Sequence, residues 1–179
     1  IEIAKGPAGS FYGAGTSGLL LLKSIDNQST PGIQIDLAGG SFGLQNLLSS
    51  AVWGENKSKN QLSYAHQKTD GYRNHTYSKK DNLSYTGLFK VSDRQEIQAS
   101  VLFNHQFYET PGGLNATEFA NNPRQERPAA GGFPSASAAK AAIEQTNFVA
   151  GLSNTYRLSE KLQNTTVLFG TFNHIKNPT

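Results

Sequence analysis

The chain has 179 residues, no Cys, no Met and a formal net charge of +3, and 16% of its residues are charged. The lack of Cys excludes a disulfide framework, a thiolate metal site and a cysteine nucleophile. The Lys and Arg residues are scattered among the acids, which argues against a nucleic-acid-binding surface. The longest apolar run, Leu19–Leu22, is far shorter than the roughly 18 residues that a transmembrane helix needs. Because the sequence begins at Ile1 without a signal-peptide pattern, we expect it to be a fragment of a longer protein.

Residues 1–30 are predicted to form a compact unit of their own. Ile1–Gly18 is dense in Gly and small residues, Leu19–Ser24 is predicted to be a short strand, and Ser29–Gly32 is a turn signal. Gly13–Gly18 matches the dinucleotide-binding pattern G-x-G-x-x-G, with Asp36 near the position of the ribose acid. We reject that interpretation because Gly and Pro precede the motif and Pro31 cuts short any helix after it.

Beyond residue 30, apolar and polar residues alternate with the period of a β-strand. In Ile97–Phe107, one face carries apolar residues and His105, and the other carries mostly polar residues and Leu102. The sequence predicts seven such strands. They span residues 33–42, 44–53, 59–68, 83–92, 97–107, 148–158 and 162–174.

The predicted connections alternate between tight and long. Val91–Gln95 and Leu158–Lys161 are tight polar turns, whereas Thr69–Lys80 and Glu109–Asn147 are long, and Ser135–Gln145 is Ala-rich enough to predict a short helix. Long loops of this kind are uncommon in soluble domains but typical of one end of an outer-membrane barrel. Aromatic residues near the predicted strand ends fit interfacial girdles, although an ordinary soluble β-core is the alternative. They are Trp53, Tyr72, Tyr77, Phe107, Tyr108 and Phe148.

Residue types that carry chemistry show no catalytic or metal-binding spacing. The four His residues, at 66, 75, 105 and 174, form no i, i+4 pair on a helix, and the carboxylates are dispersed. We therefore predict no enzyme activity, no metal site and no resident cofactor.

Two segments resemble TonB-dependent outer-membrane receptors. Ile1–Gly13 has an acid between apolar residues, a basic residue, Gly-Pro, a small-residue stretch and an aromatic-Tyr-Gly ending, which closely resembles the signature near the end of the family's plug domain. Tyr108–Leu114 followed by Asn122–Pro128 resembles a segment of ferric-citrate-type and related iron-complex receptors. Gly15–Leu22 continues the first match, although Gly18-Leu19-Leu20 departs from the Gly-Gly and Val or Ile that the family often shows.

The resemblance implies a fold class, two parts and a location. It implies an all-β protein in which residues 1–30 are the C-terminal end of a plug and residues 31–179 are the first strands of an antiparallel transmembrane β-barrel of about 22 strands. Seven strands cannot close such a barrel, so we expect further strands elsewhere in the protein. The implied location is the bacterial outer membrane, in contact with its lipid.

The implied function is energy-coupled import of a ferric chelate, such as ferric citrate or a siderophore, in which iron is cargo and not a cofactor. TonB would act through a plug segment outside this sequence. Long external loops are the physical candidates for ligand contact. Within the plug motif we assign Lys5, Gly6, Pro7, Tyr12 and Gly13 to structure. The ligand-binding candidates are Arg124, Arg127, Tyr72, Arg73, His75 and Tyr77.

Other functions remain open at the level of sequence. The same architecture imports cobalamin, haem or oligosaccharides in related receptors. A soluble, secreted all-β carbohydrate-binding module, with its apolar faces packed on one another, is an alternative from a different class, and an enzyme of unknown class is the third.

Overall fold

A computed structural model describes residues 2–6, 17–21 and 29–177 of the chain, which are mostly β-strand. Two short strands, β1 (Glu2–Lys5) and β2 (Gly18–Leu21), pair antiparallel in a sheet of their own, with Lys5 opposite Gly18. The prediction of an all-β, antiparallel protein is confirmed. β1 was not predicted, because four residues are too few to show a period.

The other strands form one seven-stranded sheet, in which each strand pairs antiparallel with its neighbours in sequence. This is the number of strands that the alternating pattern predicts. Their bounds are β3 Gly32–Gly40, β4 Leu44–Trp53, β5 Ser58–Thr69, β6 Ser78–Ser92, β7 Gln95–Glu109, β8 Ala142–Arg157 and β9 Gln163–Lys176.

The register of the strands places apolar residues next to each other on one face of this sheet and polar residues next to each other on the other face. Phe103 of β7 lies opposite Leu83 of β6 and Phe148 of β8, whereas Asn104 lies opposite Asn82 and Asn147. We call the side that bears Phe103 the apolar face and the side that bears Asn104 the polar face. Because side chains alternate along a strand, one register defines both faces over the whole sheet.

No second layer of the described residues covers the apolar face. Among the described residues, the buried apolar side chains are only Leu88, Ala136 and Ala142, while Ile33 is 79% exposed and Leu168 is 68% exposed. The accessible area is 12508 Å², against about 8,500 Å² for a compact monomer of this mass. In the described ranges there is no helix long and apolar enough to cross a membrane.

Among the described residues, the sheet has two unpaired edges. Within this part of the chain β3 and β9 each pair with one strand, and every residue of both strands is exposed. Each edge strand therefore presents a row of unpaired backbone N–H and C=O groups.

Connections differ between the two ends of the sheet. At the turn end they are residues 54–57, 93–94 and 158–162; at the loop end they are 41–43, 70–77 and 110–141. The long connections predicted at Thr69–Lys80 and Glu109–Asn147 are shorter than expected, because β6 begins at Ser78 and β8 at Ala142. There the side-chain alternation fades, but Lys79 and Glu144 still pair opposite Phe107 in the backbone ladder.

The helix predicted over Ser135–Gln145 is wrong. Residues 136–140 form turns, and Ala142 already belongs to β8, opposite Glu109. The long loop contains a different helix, α1 (Ala116–Asn121). A capping box begins it: the Asn115 side chain accepts a hydrogen bond from the Glu118 N–H, and the Glu118 carboxylate accepts one from the Asn115 N–H, both at 2.9 Å.

Candidate ligand site at the loop end

The two long loops are joined by hydrogen bonds from three consecutive residues. Arg73 donates through Nε and Nη2 to the carbonyl oxygen of Gln125, at 3.0 and 2.9 Å. The Asn74 N–H donates to the Arg124 carbonyl at 2.7 Å, and His75 Nε2 lies 2.8 Å from the Ala141 carbonyl. We call Phe42, residues 70–77 and residues 110–141 together the loop cluster. These bonds make it a fixed platform rather than two independent loops.

His75 and Glu109 interact where the loop cluster joins the strands. The His75 Nδ1 atom lies 3.4 Å from Glu109 Oε1, and the His75 side chain is only 10% exposed. Glu109 Oε2 accepts a hydrogen bond from the Tyr77 N–H at 3.0 Å. One carboxylate therefore ties the end of β7 to the start of β6.

Two glycines permit the close approach of the loop backbones. Gly71 has a φ of +80°, and a Cβ placed there would lie 2.1 Å from Thr76 Oγ1. Gly112 has a φ of +72°, and a Cβ there would lie 2.7 Å from Arg127 Cβ. Neither position accepts a side chain without movement.

An arginine is stacked on two aromatic rings at the surface of the loop cluster. The Arg124 guanidinium carbon lies 5.1 Å from the Tyr72 ring centroid and 5.8 Å from that of Phe42, and the two rings meet edge to face at 5.6 Å. Phe42 has a φ of 60°, which is uncommon for a bulky residue. Its carbonyl is held by the Asp70 N–H at 2.8 Å.

The guanidinium of Arg124 makes no hydrogen bond or ion pair with any residue that the structure describes, and the same holds for Arg127. Three of the nearby acids, by contrast, are engaged, whereas the carboxylate of Asp70 makes no hydrogen bond or ion pair with a described residue. Glu109 binds His75, Glu118 caps α1, and Glu126 accepts hydrogen bonds from the Ser137 N–H and hydroxyl. The guanidinium groups of Arg124 and Arg127 are therefore not bound by an acid of the described residues, an arrangement that suits a carboxylate or another oxyanion.

The carboxyl group of Glu126 is shifted toward its ionised form. Partial burial alone would raise the pKa of Glu126, but hydrogen bonds from Ser137 and Ser135 outweigh it and lower the pKa below its usual value. At neutral pH, this carboxylate therefore holds residues 135–137 against the part of the same loop that contains Arg124 and Arg127.

All six residues predicted to bind ligand lie in the loop cluster, though in different settings. Tyr72 and Arg124 stack on each other, Arg73 and His75 bind backbone carbonyls across the loops, and the Arg127 stem packs against Gly112. The Tyr77 ring lies 6.1 Å from Phe107 and beneath Lys68. That these residues contact a ligand stays a prediction.

Sequence reasoning missed Phe42, which it placed at the end of a strand. β3 ends at Gly40, and Phe42 occupies a three-residue turn with its ring against Tyr72. No local signal distinguishes this aromatic, because its role depends on loops far away in sequence.

The predicted plug motif is described only in part. Lys5 ends β1, and Gly6 has a φ of +82° and donates its N–H to the Ser17 carbonyl at 3.3 Å. The structural role assigned to Lys5 and Gly6 stays a prediction. Pro7, Tyr12 and Gly13 lie outside the described residues.

A cavity of about 480 Å³ at the turn end is a weaker candidate. Lys90, Arg94, Arg157, Asp93 and Glu96 line it, so its charges are mixed. Lys90 Nζ lies 2.8 Å from Asp93 Oδ1 and lowers the pKa of that carboxyl.

The described ranges hold no cluster of three His, Cys, Asp or Glu residues fit for a metal ion. No protein-family model matches this sequence, so its function is inferred from the motifs and the geometry.

Proposed function

We propose that this chain forms part of the wall of a transmembrane β-barrel in the bacterial outer membrane. The observation that carries the proposal is the uncovered apolar face of the sheet. On β7 this face runs from Ile97 to Phe107, about 34 Å along a strand at about 3.4 Å per residue. Tilted by about 40°, it spans about 26 Å, close to the apolar band of an outer-membrane barrel, which is about 25 Å tall.

The open edges support the same proposal. Unpaired backbone groups on β3 and β9 are costly in lipid and promote aggregation in water. Further strands pairing with both edges would satisfy these groups and close the wall. A soluble carbohydrate-binding module is less well supported, because it needs a second layer over Ile33, Leu83 and Phe148, which are all exposed.

We further propose that the barrel is a TonB-dependent receptor that imports a ferric chelate, either ferric citrate or a siderophore. The resemblance of Ile1–Gly13 to the plug signature supports the receptor, and the free guanidiniums of Arg124 and Arg127 support an anionic cargo. Import requires no bond in the ligand to be made or broken. The loop cluster captures the chelate, and the TonB complex supplies the energy through the plug.

Growth under iron limitation tests this function. The source bacterium, with and without the intact gene, is supplied with ferric citrate or with one ferric siderophore at a time. We expect the deletion to slow growth on one complex and not on the others. Equal growth on every complex would exclude iron as the cargo, and the same test with cobalamin, haem or an oligosaccharide would then identify the alternative.

A fractionation experiment tests the barrel separately from the cargo. The protein should be recovered from outer membranes and remain monodisperse only in detergent. A soluble, monomeric protein without detergent would contradict the barrel and favour the carbohydrate-binding module.

A further inference from the structure

The charged residues on the apolar face all lie near the loop end. Within the described sheet, the face carries Lys68, Lys79, Asp81, Glu109, Glu144 and Lys176 in its first rows at that end. The corresponding rows at the turn end carry uncharged residues. These are Asn60, Gln95, Asn154 and Tyr156. Along the strands, the apolar face therefore has charged residues at its loop end and uncharged residues at its turn end.

Two of these lysines lie directly opposite each other. Lys68 of β5 pairs with Lys79 of β6 in the register of the sheet, which brings like charges to Cβ separations of about 5 Å and is destabilising by itself. Lys79 Nζ is 3.6 Å from Asp81 Oδ2. Lys68 has no acid partner among the residues that the structure describes, and its ammonium lies 5.8 Å from the Tyr77 ring centroid.

Asp81 cannot neutralise both lysines, because it already has other partners. Its Oδ1 atom accepts a hydrogen bond from the Tyr64 hydroxyl at 2.7 Å and lies 2.7 Å from His66 Nδ1. The lysine pair thus lacks one negative charge. A phosphate group placed between the two ammonium groups would supply it.

An exposed apolar surface lies on the same face beyond the row of His66 and Asp81, which is the next row below the lysine pair. Leu62, Leu83 and Phe103 belong to the same face, in adjacent strands, and are 41%, 44% and 38% exposed. A cationic pair above an apolar wall is complementary to an amphiphile with an anionic head and acyl chains.

We infer that Lys68 and Lys79 bind the phosphate headgroup of an anionic lipid, with its acyl chains against Leu83 and Phe103. This inference rests on the proposed membrane-spanning barrel. It also orients the barrel, because the uncharged rim at the turn end then faces the leaflet that is poorer in phosphate-bearing anionic headgroups.

Lipid retention tests the inference. The protein, expressed from its intact gene, is purified in non-ionic detergent and incubated with bisphosphorylated lipid A or with phosphatidylcholine, and bound lipid is counted by native mass spectrometry. We expect lipid A to be retained preferentially. Lys68→Gln combined with Lys79→Gln should weaken lipid A retention about tenfold, as expected for the loss of charge-assisted hydrogen bonds.

Lys80→Gln is the matched control. Lys80 is adjacent to Lys79 but lies on the polar face, opposite Gln67, so this variant should retain lipid A like the parent protein. Undiminished retention in the double variant, or equal retention of phosphatidylcholine by the parent, would overturn the inference alone. A protein that does not fractionate with outer membranes would overturn both the barrel and the lipid site.

Discussion

Arg124 and Tyr72 face each other across two loops that are separated by more than fifty residues in sequence, with the guanidinium carbon 5.1 Å from the ring centroid. The stacking fixes the plane of the guanidinium without using its N–H donors. Those donors have no hydrogen-bond partner among the described residues and are therefore available to a ligand.

Arg124→Lys should weaken binding of ferric citrate to the purified protein about tenfold. The substitution keeps the positive charge but removes the planar fork and most of the stacking on Tyr72. Titration calorimetry with ferric citrate measures the change in Kd. Arg94→Lys, at the turn end, is the control and should bind normally; an unchanged Kd for Arg124→Lys would remove this residue from the site.

Gly112→Ala should loosen the long loop. The new Cβ would lie 2.7 Å from Arg127 Cβ at a residue with positive φ, which costs about 1–3 kcal/mol. Trypsin should then cut after Arg124 about tenfold faster. The adjacent Gly113→Ala is the control, because nothing lies within 4 Å of its Cβ position. Equal cleavage of the two variants would refute the packing argument.

Acid should release the contact between Glu126 and Ser137. The pKa of Glu126 is lowered from its model-compound value of 4.5, so its contribution to stability is complete above that pH and is lost as the pH falls through the lower, folded value. Hydrogen exchange at the Ser137 amide, corrected for the intrinsic rate, should be constant from pH 7 to about 4.5 and rise below it. Glu126→Gln should show faster exchange throughout, with no such transition.

Cysteine labelling should alternate along the strands if the sheet spans a membrane. The chain has no Cys, so each introduced thiol reports on one position. Ser84→Cys and Ser100→Cys, on the polar face, should react with a water-soluble maleimide in intact membranes, because barrel interiors are polar. Leu83→Cys and Val101→Cys, on the apolar face, should not. Labelling of both faces alike would show that the apolar face meets water.

The strands were largely predictable because a period of two is visible wherever one face is apolar. β4 matches its predicted bounds, Leu44–Trp53. The first residues of β6, Ser78–Asn82, were missed because they are polar on both faces. The first residues of β8 were missed because Ala142 and Ile143 lie in the Ala-rich stretch that was predicted to be a helix, and Glu144–Asn147 are polar on both faces. Their place in the sheet is determined by pairing with β7, which a single segment does not reveal.

The helix shows where local propensity misleads. The alanines of Ser135–Gln145 favour a helix, yet Ala136 and Ala142 are small residues buried beneath the loop and in the sheet. The better signal was Asn115 with Glu118 three positions later, the pattern of a capping box. At the candidate site, loop membership was predictable, but the stacking of Phe42 on Tyr72 depends on contacts between distant loops.

Nearest-neighbour pairing of the strands makes the wall insensitive to the length of its loops. The β6–β7 turn has two residues and the β7–β8 loop has 32, a difference of four doublings that costs only about 2.4 kcal/mol in loop-closure entropy. Doubling the long loop again would cost about 0.6 kcal/mol more. Evolution can therefore lengthen and reshape the segment that carries Arg124 and Arg127 while the strands beneath it keep their register, and new ligand preferences can arise on an unchanged sheet.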